Sequence, residues 1–449
     1  MKIVLGADEG RRTLLRRQPL GEMALPAEIW RRTRDAVGDV ATVEDAVRRI
    51  LQDVREEGDA AVLRYCHAFD GGEYETLQVP PEEQRAAYDQ VEPSVVEALR
   101  FAAGRVRAFH EEQRQHAMQS FQHDGVGVQV RPLARVGCYV PGTAAVYPSS
   151  VLMTVLPAKA AGVEEVLIAS PADGQGLVSP LKLVAADLAG VDGIFRMSGA
   201  QAVAAFAYGT ESVPKVDKVC GPGNVFVTLA KRAVFGEVGI DALYGPSETI
   251  IVADEAADPT LCAADLLAQA EHDELATPIL ITTSGELAEQ VGEELERQLF
   301  GLERRETARA AFEARGGAVV VDSLDEALAL ADEFAPEHLC LLVRDAPRWA
   351  AQVRNAGGVF VGEASPETLG DYTAGPSHVM PTSGTARFAS PLGVQDFLKA
   401  TSVVSMDEAL LRALGPATAR IARAEGLTAH ARTIELRLGE GTGDDSPAD

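Results

Sequence analysis

The chain has 449 residues, and 67 Asp+Glu against 41 Lys+Arg leave a formal charge of −26. With 46% apolar residues, length and composition predict about two to four folded domains and exclude wholesale disorder. The acidity excludes nucleic acid or an anionic membrane as the main partner, because each needs a basic face.

Up to about residue 130 the text reads as helices with short connections. Thr42 to Glu57 carries Val43, Ala46, Val47, Ile50, Leu51 and Val54 at helical spacing, with Thr42 as N-cap and Gly58 as stop. Periodicity returns from Ser94 to about His116. Arg11-Arg12 and Arg16-Arg17 read as a solvated helix face, and His67, His110, His116 and His123 as surface or capping histidines.

Near Pro132 strands begin to alternate with helices. Val136–Val140, Glu165–Ser170, Gly193–Met197 and Lys218–Gly221 are predicted strands; Ser149–Ala161, Pro180–Ala189, Ala200–Tyr208 and Asn224–Phe235 are predicted helices. A second series has strands at Thr249–Ala253, Pro278–Thr282, Ala318–Asp322, His338–Val343 and Gly358–Val361, with helices such as Pro259–His272 and Asp325–Phe334. This alternation predicts an α/β fold of two doubly wound, incomplete Rossmann-like parallel-sheet domains. The two series have the look of duplicated halves. After Arg387 a helical segment is expected to about Leu438, then a frayed tail.

No run approaches the roughly 18 apolar residues of a membrane-spanning helix, and Met1 to Gly6 turns polar too soon for a secretory signal. The five cysteines are widely spaced and none forms C-x-x-C, which argues against a disulfide framework or a thiolate zinc site. The expectation is a soluble, cytoplasmic protein.

G-x-G-x-x-G is absent. Gly221-Pro222-Gly223-Asn224 nevertheless ends a strand and opens a helix, a turn that can aim N–H groups at a phosphate or serve only as a tight connection. Tyr139-Val140-Pro141-Gly142 ends another strand, and open α/β sheets bind ligands beyond strand C-termini. Gln269 and His272 stand at i, i+3, a spacing that can share a metal. Glu337-His338 lies where a helix gives way to a strand. Gly370-Asp371-Tyr372 and His378 share a glycine-rich loop, and Glu425 and His430 flank Gly426-Leu427-Thr428-Ala429. Singly, each is more often structural than a ligand. Two imidazoles, a carboxylate and an amide oxygen would make a thiolate-free site of zinc type. Cys138 and Cys220, at strand ends, raise a rival thiolate nucleophile; the simpler reading is two small buried hydrophobes.

At these residues the sequence resembles the histidinol dehydrogenases. The likeness runs from about Val40 to Leu438 through Tyr139-Val-Pro-Gly, Tyr147-Pro-Ser-Ser-Val-Leu-Met, Gly199-Ala-Gln-Ala, Gly221-Pro-Gly-Asn, Gly245-Pro-Ser-Glu, Gln269-Ala-Glu-His-Asp, Phe334-Ala-Pro-Glu-His-Leu, Gly370-Asp-Tyr-Thr-Ala-Gly and Ala424-Glu-Gly-Leu-Thr-Ala-His. The resemblance implies oxidation of L-histidinol to L-histidine through the aldehyde, using two NAD⁺ and one Zn²⁺ per subunit. It implies that Gln269, His272, Asp371 and His430 bind zinc and touch substrate, and that Glu337 and His338 are catalytic. His338, as general base, also contacts substrate, and Glu337 activates water. Ser247, His378 and Glu425 would contact substrate, and Tyr139, Gln201 and Asn224 would contact NAD. It further implies a homodimer whose C-terminal segments complete each other's sites.

On that basis residues 1–35 are an N-terminal helical segment, and 36–138 with 248–390 form the main α/β domain holding the catalytic and metal residues. Residues 139–247 form the NAD-contacting α/β domain, 391–438 the helical dimer segment and 439–449 a flexible tail. Because adjacent side chains of a strand diverge, Glu337 and His338 must serve one site from a turn. The chain departs from the family pattern at Cys138, Ser377 and Thr143, none a proposed ligand. The nearest rival is a related zinc dehydrogenase of another polar alcohol, such as sulfopropanediol. A zinc hydrolase using Glu337 leaves the glycine turns without a purpose, and a non-catalytic binding protein leaves the acid–base pair without one.

Overall fold

Strands buried on both faces carry aliphatic residues without polar alternation, and most strands of this chain are of that kind. A computed structural model describes residues 1–17, 27–72, 74–142 and 146–440; Thr143 and all of the expected tail beyond Glu440 lie outside these. In chain order the strands are β1 (Ile3–Leu5), β2 (Phe121–His123), β3 (Val126–Pro132), β4 (Arg135–Tyr139), β5 (Glu165–Ser170), β6 (Gly193–Arg196), β7 (Lys218–Cys220), β8 (Gly239–Ile240), β9 (Glu248–Ala253), β10 (Thr277–Thr282), β11 (Gly317–Val320), β12 (His338–Leu342), β13 (Gly358–Val361) and β14 (Leu398–Val404).

The described residues divide into two compact units, one of Met1–His116 and Leu133–Phe397, the other of Ala117–Pro132 and Leu398 onward. The first unit holds two parallel sheets. One has the order β6-β5-β4-β7-β8 and the other β1-β11-β10-β9-β12-β13. With β1 set aside, both follow the order third, second, first, fourth, fifth, the half-Rossmann arrangement, so the duplicated-halves reading holds at the level of topology.

Alternate residues of the six-stranded sheet enter two cores. Ile251, Ala253, Leu280, Cys340 and Leu342 pack with helices 259–270, 285–299 and 305–314. Ile250, Val252, Ile279, Leu339 and Leu341 face helices 7–12, 324–334 and 346–350. In the five-stranded sheet, Tyr139, Leu167, Phe195 and Val219 share a core with helices 43–57, 59–70, 199–208 and 225–234.

Several expectations change. The N-terminal part is not wholly helical: Ile3–Leu5 extends the six-stranded sheet as the parallel neighbour of β11. Strand β4 belongs to the five-stranded sheet, and helices 43–70 pack on that sheet rather than with the six-stranded one, so the boundary drawn before Tyr139 cuts through a strand. Arg17 is not a solvated residue but pairs with the buried Glu248 and lies over the Phe334 ring at 3.8 Å. His110 is fully buried, its Nδ1 2.8 Å from Val106 O. Thr42 caps its helix as expected, accepting from Asp45 N.

In the second unit β14 pairs antiparallel with β3, and β3 with β2, so the C-terminal segment begins as a strand rather than a helix. Its helices, 408–424 and 428–438, pack on each other through Ala419, Ala422 and Ala431 and are tied by a bidentate Arg423–Glu435 pair at 2.8 Å. Val404, Ile421 and Leu436 are exposed.

Candidate active site

The site is built at the N-terminal edge of the six-stranded sheet. Thr249 of β9 and His338 of β12 are direct cross-strand partners, and Glu337 lies in the bend before β12. Ala335, at φ 52°, ends helix 324–334 in the left-handed region and turns the chain toward the sheet. Gly357 closes the loop from the other side: a Cβ there would fall 2.6 Å from Glu337 O, a close approach only glycine permits. Glu337 thus stands in a bend while His338 is the first residue of β12, whereas the side-chain argument expects both in a turn.

Both ring nitrogens of His338 are buried without a hydrogen-bond partner. Nδ1 stands 3.9 Å from Glu337 Oε2 and 4.0 Å from Glu367 Oε2, and Nε2 stands 3.9 Å from Asp371 Oδ1. The backbone N–H of Glu248 donates to Glu337 Oε2 at 3.0 Å. Glu367 opens the short helix 367–372 and Asp371 lies one turn later, so i, i+4 spacing puts both carboxylates on one face. Thr249 Oγ1 lies 2.6 Å from both Gln269 Oε1 and Glu367 Oε2.

Helix 259–270 ends at Ala270, so His272 sits just beyond it rather than on its face, with its N–H bonded to Gln269 O at 3.2 Å. His378 Nδ1 is 3.0 Å from Asp371 O and its Nε2 is 3.1 Å from Ser150 Oγ. Ser377 takes up its polarity locally, donating to Met153 O at 2.9 Å. Half-buried Ser247 immediately precedes β9.

Burial dominates the electrostatics. It pushes the His338 imidazole down to about 3, with His272 and His378 adding to the effect, and His378 down to about 4. His272 is also lowered, by burial and by Arg304. All three are held neutral, the state in which imidazole accepts a proton or a metal. Burial raises Asp371 to about 7 and lifts Glu337 and Glu367 well above the ordinary carboxylate range, with Glu248, Asp371 and Glu367 adding to the rise of Glu337, and Asp371 and Asp265 to that of Glu367. A cluster of destabilised carboxylates among neutral imidazoles is an environment that a cation relieves.

Among the described residues no group of three or more His, Cys, Asp and Glu stands ready to hold a metal ion. Of the expected ligand set, the first unit supplies only His272 and Asp371 from those residue types. Gln269 is an amide, and His430 belongs to the second unit. The donors present, a neutral imidazole, a carboxylate and an amide with its buried Nε2 unpartnered, suit a borderline dication such as zinc. In the second unit, Glu425 caps the end of helix 408–424 and His430 lies in the first turn of helix 428–438, both exposed.

The expected NAD residues lie at the C-terminal edge of the five-stranded sheet. The Tyr139 hydroxyl, at the end of β4, accepts from Gly199 N at 3.2 Å. Gln201 is fully buried, its Nε2 donating to Ser198 Oγ at 3.1 Å and its Oε1 unpartnered. Exposed Asn224 caps helix 225–234, accepting from Phe226 N and Val227 N at 3.1 and 3.3 Å, so those two N–H groups are not free for a phosphate. The Gly221 turn is fixed from beneath. A buried Lys231–Asp241 ion pair brings Lys231 Nζ to Gly221 O at 3.0 Å and Asp241 Oδ2 to Gly221 N at 2.7 Å. Gly221 has φ 105°, and a Cβ there would lie 2.2 Å from Tyr139 O, so only glycine fits. Cys138 and Cys220 are fully buried; burial raises the Cys138 thiol to about 12 and Cys220 likewise upward. Neither is a thiolate nucleophile.

The Histidinol dehydrogenase family profile matches residues 33–438. The chain belongs to the histidinol dehydrogenase family. It is thereby an NAD-dependent oxidoreductase of a histidine-biosynthetic family. It is 50% identical over 441 residues to the histidinol dehydrogenase of Deinococcus radiodurans, covering 98% of this chain and all of that one. It is 51% identical over 401 residues to that of Bacillus anthracis, covering 89% and 93%. The crystal structure of histidinol dehydrogenase from Elizabethkingia anophelis superposes with a TM-score of 0.85 at 31% identity, covering 98% of each chain.

Sequence reasoning missed Thr249, Glu248 and Glu367. Only Glu367 left a usable signal, its i, i+4 spacing to Asp371 behind the helix-starting Pro366.

Proposed function

We propose that this histidinol dehydrogenase family member oxidises L-histidinol to L-histidine through L-histidinal, reducing two NAD⁺, with one zinc ion per subunit. The observation that carries this reading is the buried, neutral His338 with Glu337, Glu367 and Asp371 carboxylates within 4.0 Å of its ring nitrogens. Gln269, His272 and Asp371, with His430 of the partner subunit, would hold zinc, which when bound orients the substrate's imidazole and amino nitrogens and polarises the reacting oxygen.

In the first oxidation, His338 takes the hydroxyl proton as hydride leaves carbon for NAD⁺, giving aldehyde and NADH. The flanking carboxylates, which a bound cation would hold ionised, stabilise the imidazolium that forms and offset the low proton affinity burial imposes. In the second, Glu337 takes a proton from the water that adds to the aldehyde. As it adds, His338 returns its proton to the aldehyde oxygen, which completes the hydrate and leaves the ring neutral. His338 then accepts a hydroxyl proton of the hydrate as the second hydride leaves, giving the acid, which ionises, and a second NADH. Ser247 and His378, with Glu425 of the partner subunit, position the substrate. Tyr139, Gln201 and Asn224 position NAD⁺, Gln201 from beneath the surface.

The apolar residues exposed on the second unit, Val404, Ile421 and Leu436, favour its role as a dimer segment, since monomeric surfaces seldom expose apolar patches of size. The six-stranded sheet domain carries catalysis and the five-stranded one the NAD contacts. Five buried free thiols suit a reducing cytoplasm; among the described residues no helix is long and apolar enough to cross a membrane. The test is NADH formation by the purified protein with zinc, L-histidinol and NAD⁺. Reduction with sulfopropanediol but not histidinol would overturn the substrate assignment.

A further inference from the structure

We propose that Thr249 and Glu367 are positioning residues that decide which end of the Gln269 side-chain amide faces the reaction pocket, presenting its oxygen to a divalent cation. The proposal rests on the metal reading above and concerns Thr249, to which that reading gives no part, and Glu367, which it sets only beside His338.

A hydrogen-bond count carries it. Thr249 Oγ1 lies 2.6 Å from Gln269 Oε1 and 2.6 Å from Glu367 Oε2. A hydroxyl has one proton, so with Glu367 ionised, as a bound cation would hold it, it cannot donate to two oxygens at once. At the other end of the same amide, Nε2 is buried without any partner, and Gln269 is only 1% exposed, so water does not satisfy it. An unmet buried amide N–H is costly. Exchanging the amide's oxygen and nitrogen, which have nearly the same shape, removes both conflicts. Nε2 then donates to Thr249 Oγ1, and Thr249 donates its single proton to the Glu367 carboxylate. Oε1 moves to the buried, unpartnered end, where its lone pair has a cation as its natural partner.

The scaffold makes the orientation firm. Thr249 is fully buried on central strand β9 and is in register with His338 on β12. Glu367 is 2% exposed, its Oε2 3.9 Å from Cys340 Sγ. The chain Glu367–Thr249–Gln269 thus ties one expected metal ligand to the floor of the sheet that carries the catalytic pair.

The test is zinc affinity, measured on the full-length protein by competition with a chromophoric chelator, for wild type, Thr249→Val, Thr249→Ser and Glu367→Leu. Second-sphere changes of this kind lower metal affinity roughly 10- to 100-fold, and that loss is expected for Thr249→Val and Glu367→Leu. Thr249→Ser, which keeps the hydroxyl, is expected to stay within about threefold of wild type. Circular dichroism of the chelated proteins checks folding, and if Thr249→Val does not fold, Glu367→Leu carries the comparison. Wild-type or tighter zinc affinity in a folded Thr249→Val or Glu367→Leu protein overturns the proposal, because an amide with nitrogen toward the pocket gains nothing from Thr249. A serine variant as weak as the valine one also overturns it. A wild-type protein that takes up no zinc overturns the metal reading, and the proposal with it.

Discussion

Glu337 and His338 are adjacent in sequence, yet Glu337 Oε2 lies 3.9 Å from His338 Nδ1. Side chains of successive strand residues diverge, and the pair meets only because Glu337 stays in the bend before β12. The bend is fixed by left-handed Ala335 on one side and on the other by Gly358 N, which donates to Glu337 O at 2.8 Å. The two groups can therefore share one substrate while differing in task.

His338→Asn removes the proposed base but keeps a polar side chain of moderate size. Turnover is expected to fall by roughly 10² or more while zinc stays bound. Steady-state rates and metal content by atomic absorption check this; lost zinc with an intact fold would make His338 a ligand instead.

Glu337→Gln should separate the two oxidations. Water addition needs the carboxylate, whereas hydride loss from the alcohol does not. The rate with L-histidinal as substrate is expected to fall roughly 10²-fold, and more than that of the first half-reaction. Single-turnover NADH formation from each substrate measures both; equal losses would place Glu337 in both steps.

Lys182, in helix 180–189, gives a pH signature of its own. Its ammonium is 2% exposed, donates to Ser170 Oγ at 2.9 Å, and burial lowers its pKa from 10.5 to about 8. With the folded value below the unfolded one, the unfolded chain binds more protons between pH 8 and 10.5, so stability from this group rises through that window. Wild type should gain about 2 kcal/mol on Lys182→Met between pH 7 and 10. Denaturant midpoints at the two pH values supply the comparison, and a constant difference would contradict it.

The shared-site reading predicts complementation. Inactive His338→Asn and His430→Asn proteins, mixed and refolded, should form heterodimers with one intact site and recover up to about a quarter of wild-type activity, the random-pairing value set by dimer symmetry. Verified heterodimers without activity would argue against a site completed across the dimer.

Much of this was legible in the chain. The boundaries of Glu165–Ser170, Pro180–Ala189 and Gly358–Val361 follow from punctuation by Gly, Pro and Ser around apolar runs, and the structure has those elements where the sequence puts them. What escaped was non-local. Ile3–Leu5 is too short for periodicity to register and is a strand only because β11, more than 300 residues later, offers an edge. Leu398–Val404 became a strand by pairing with β3. Glu367 and Thr249 carry no motif of their own. They matter because the β9–β12 register sets Thr249 beside His338 and the short helix from Pro366 drops Glu367 onto it. Arg17 was misread for the same reason, since its partner Glu248 lies at the start of a strand far along the chain.

The central claim is a four-electron oxidation at one site, and end-point stoichiometry tests it most directly. With zinc present, NAD⁺ in excess and L-histidinol limiting, NADH is read by its absorbance and the product by amino-acid analysis. The account predicts about two NADH for each histidinol consumed, with L-histidine as the product, because one base serves both oxidations and one carboxylate activates the water between them. One NADH per histidinol with aldehyde accumulating, or no NADH at all, would contradict it.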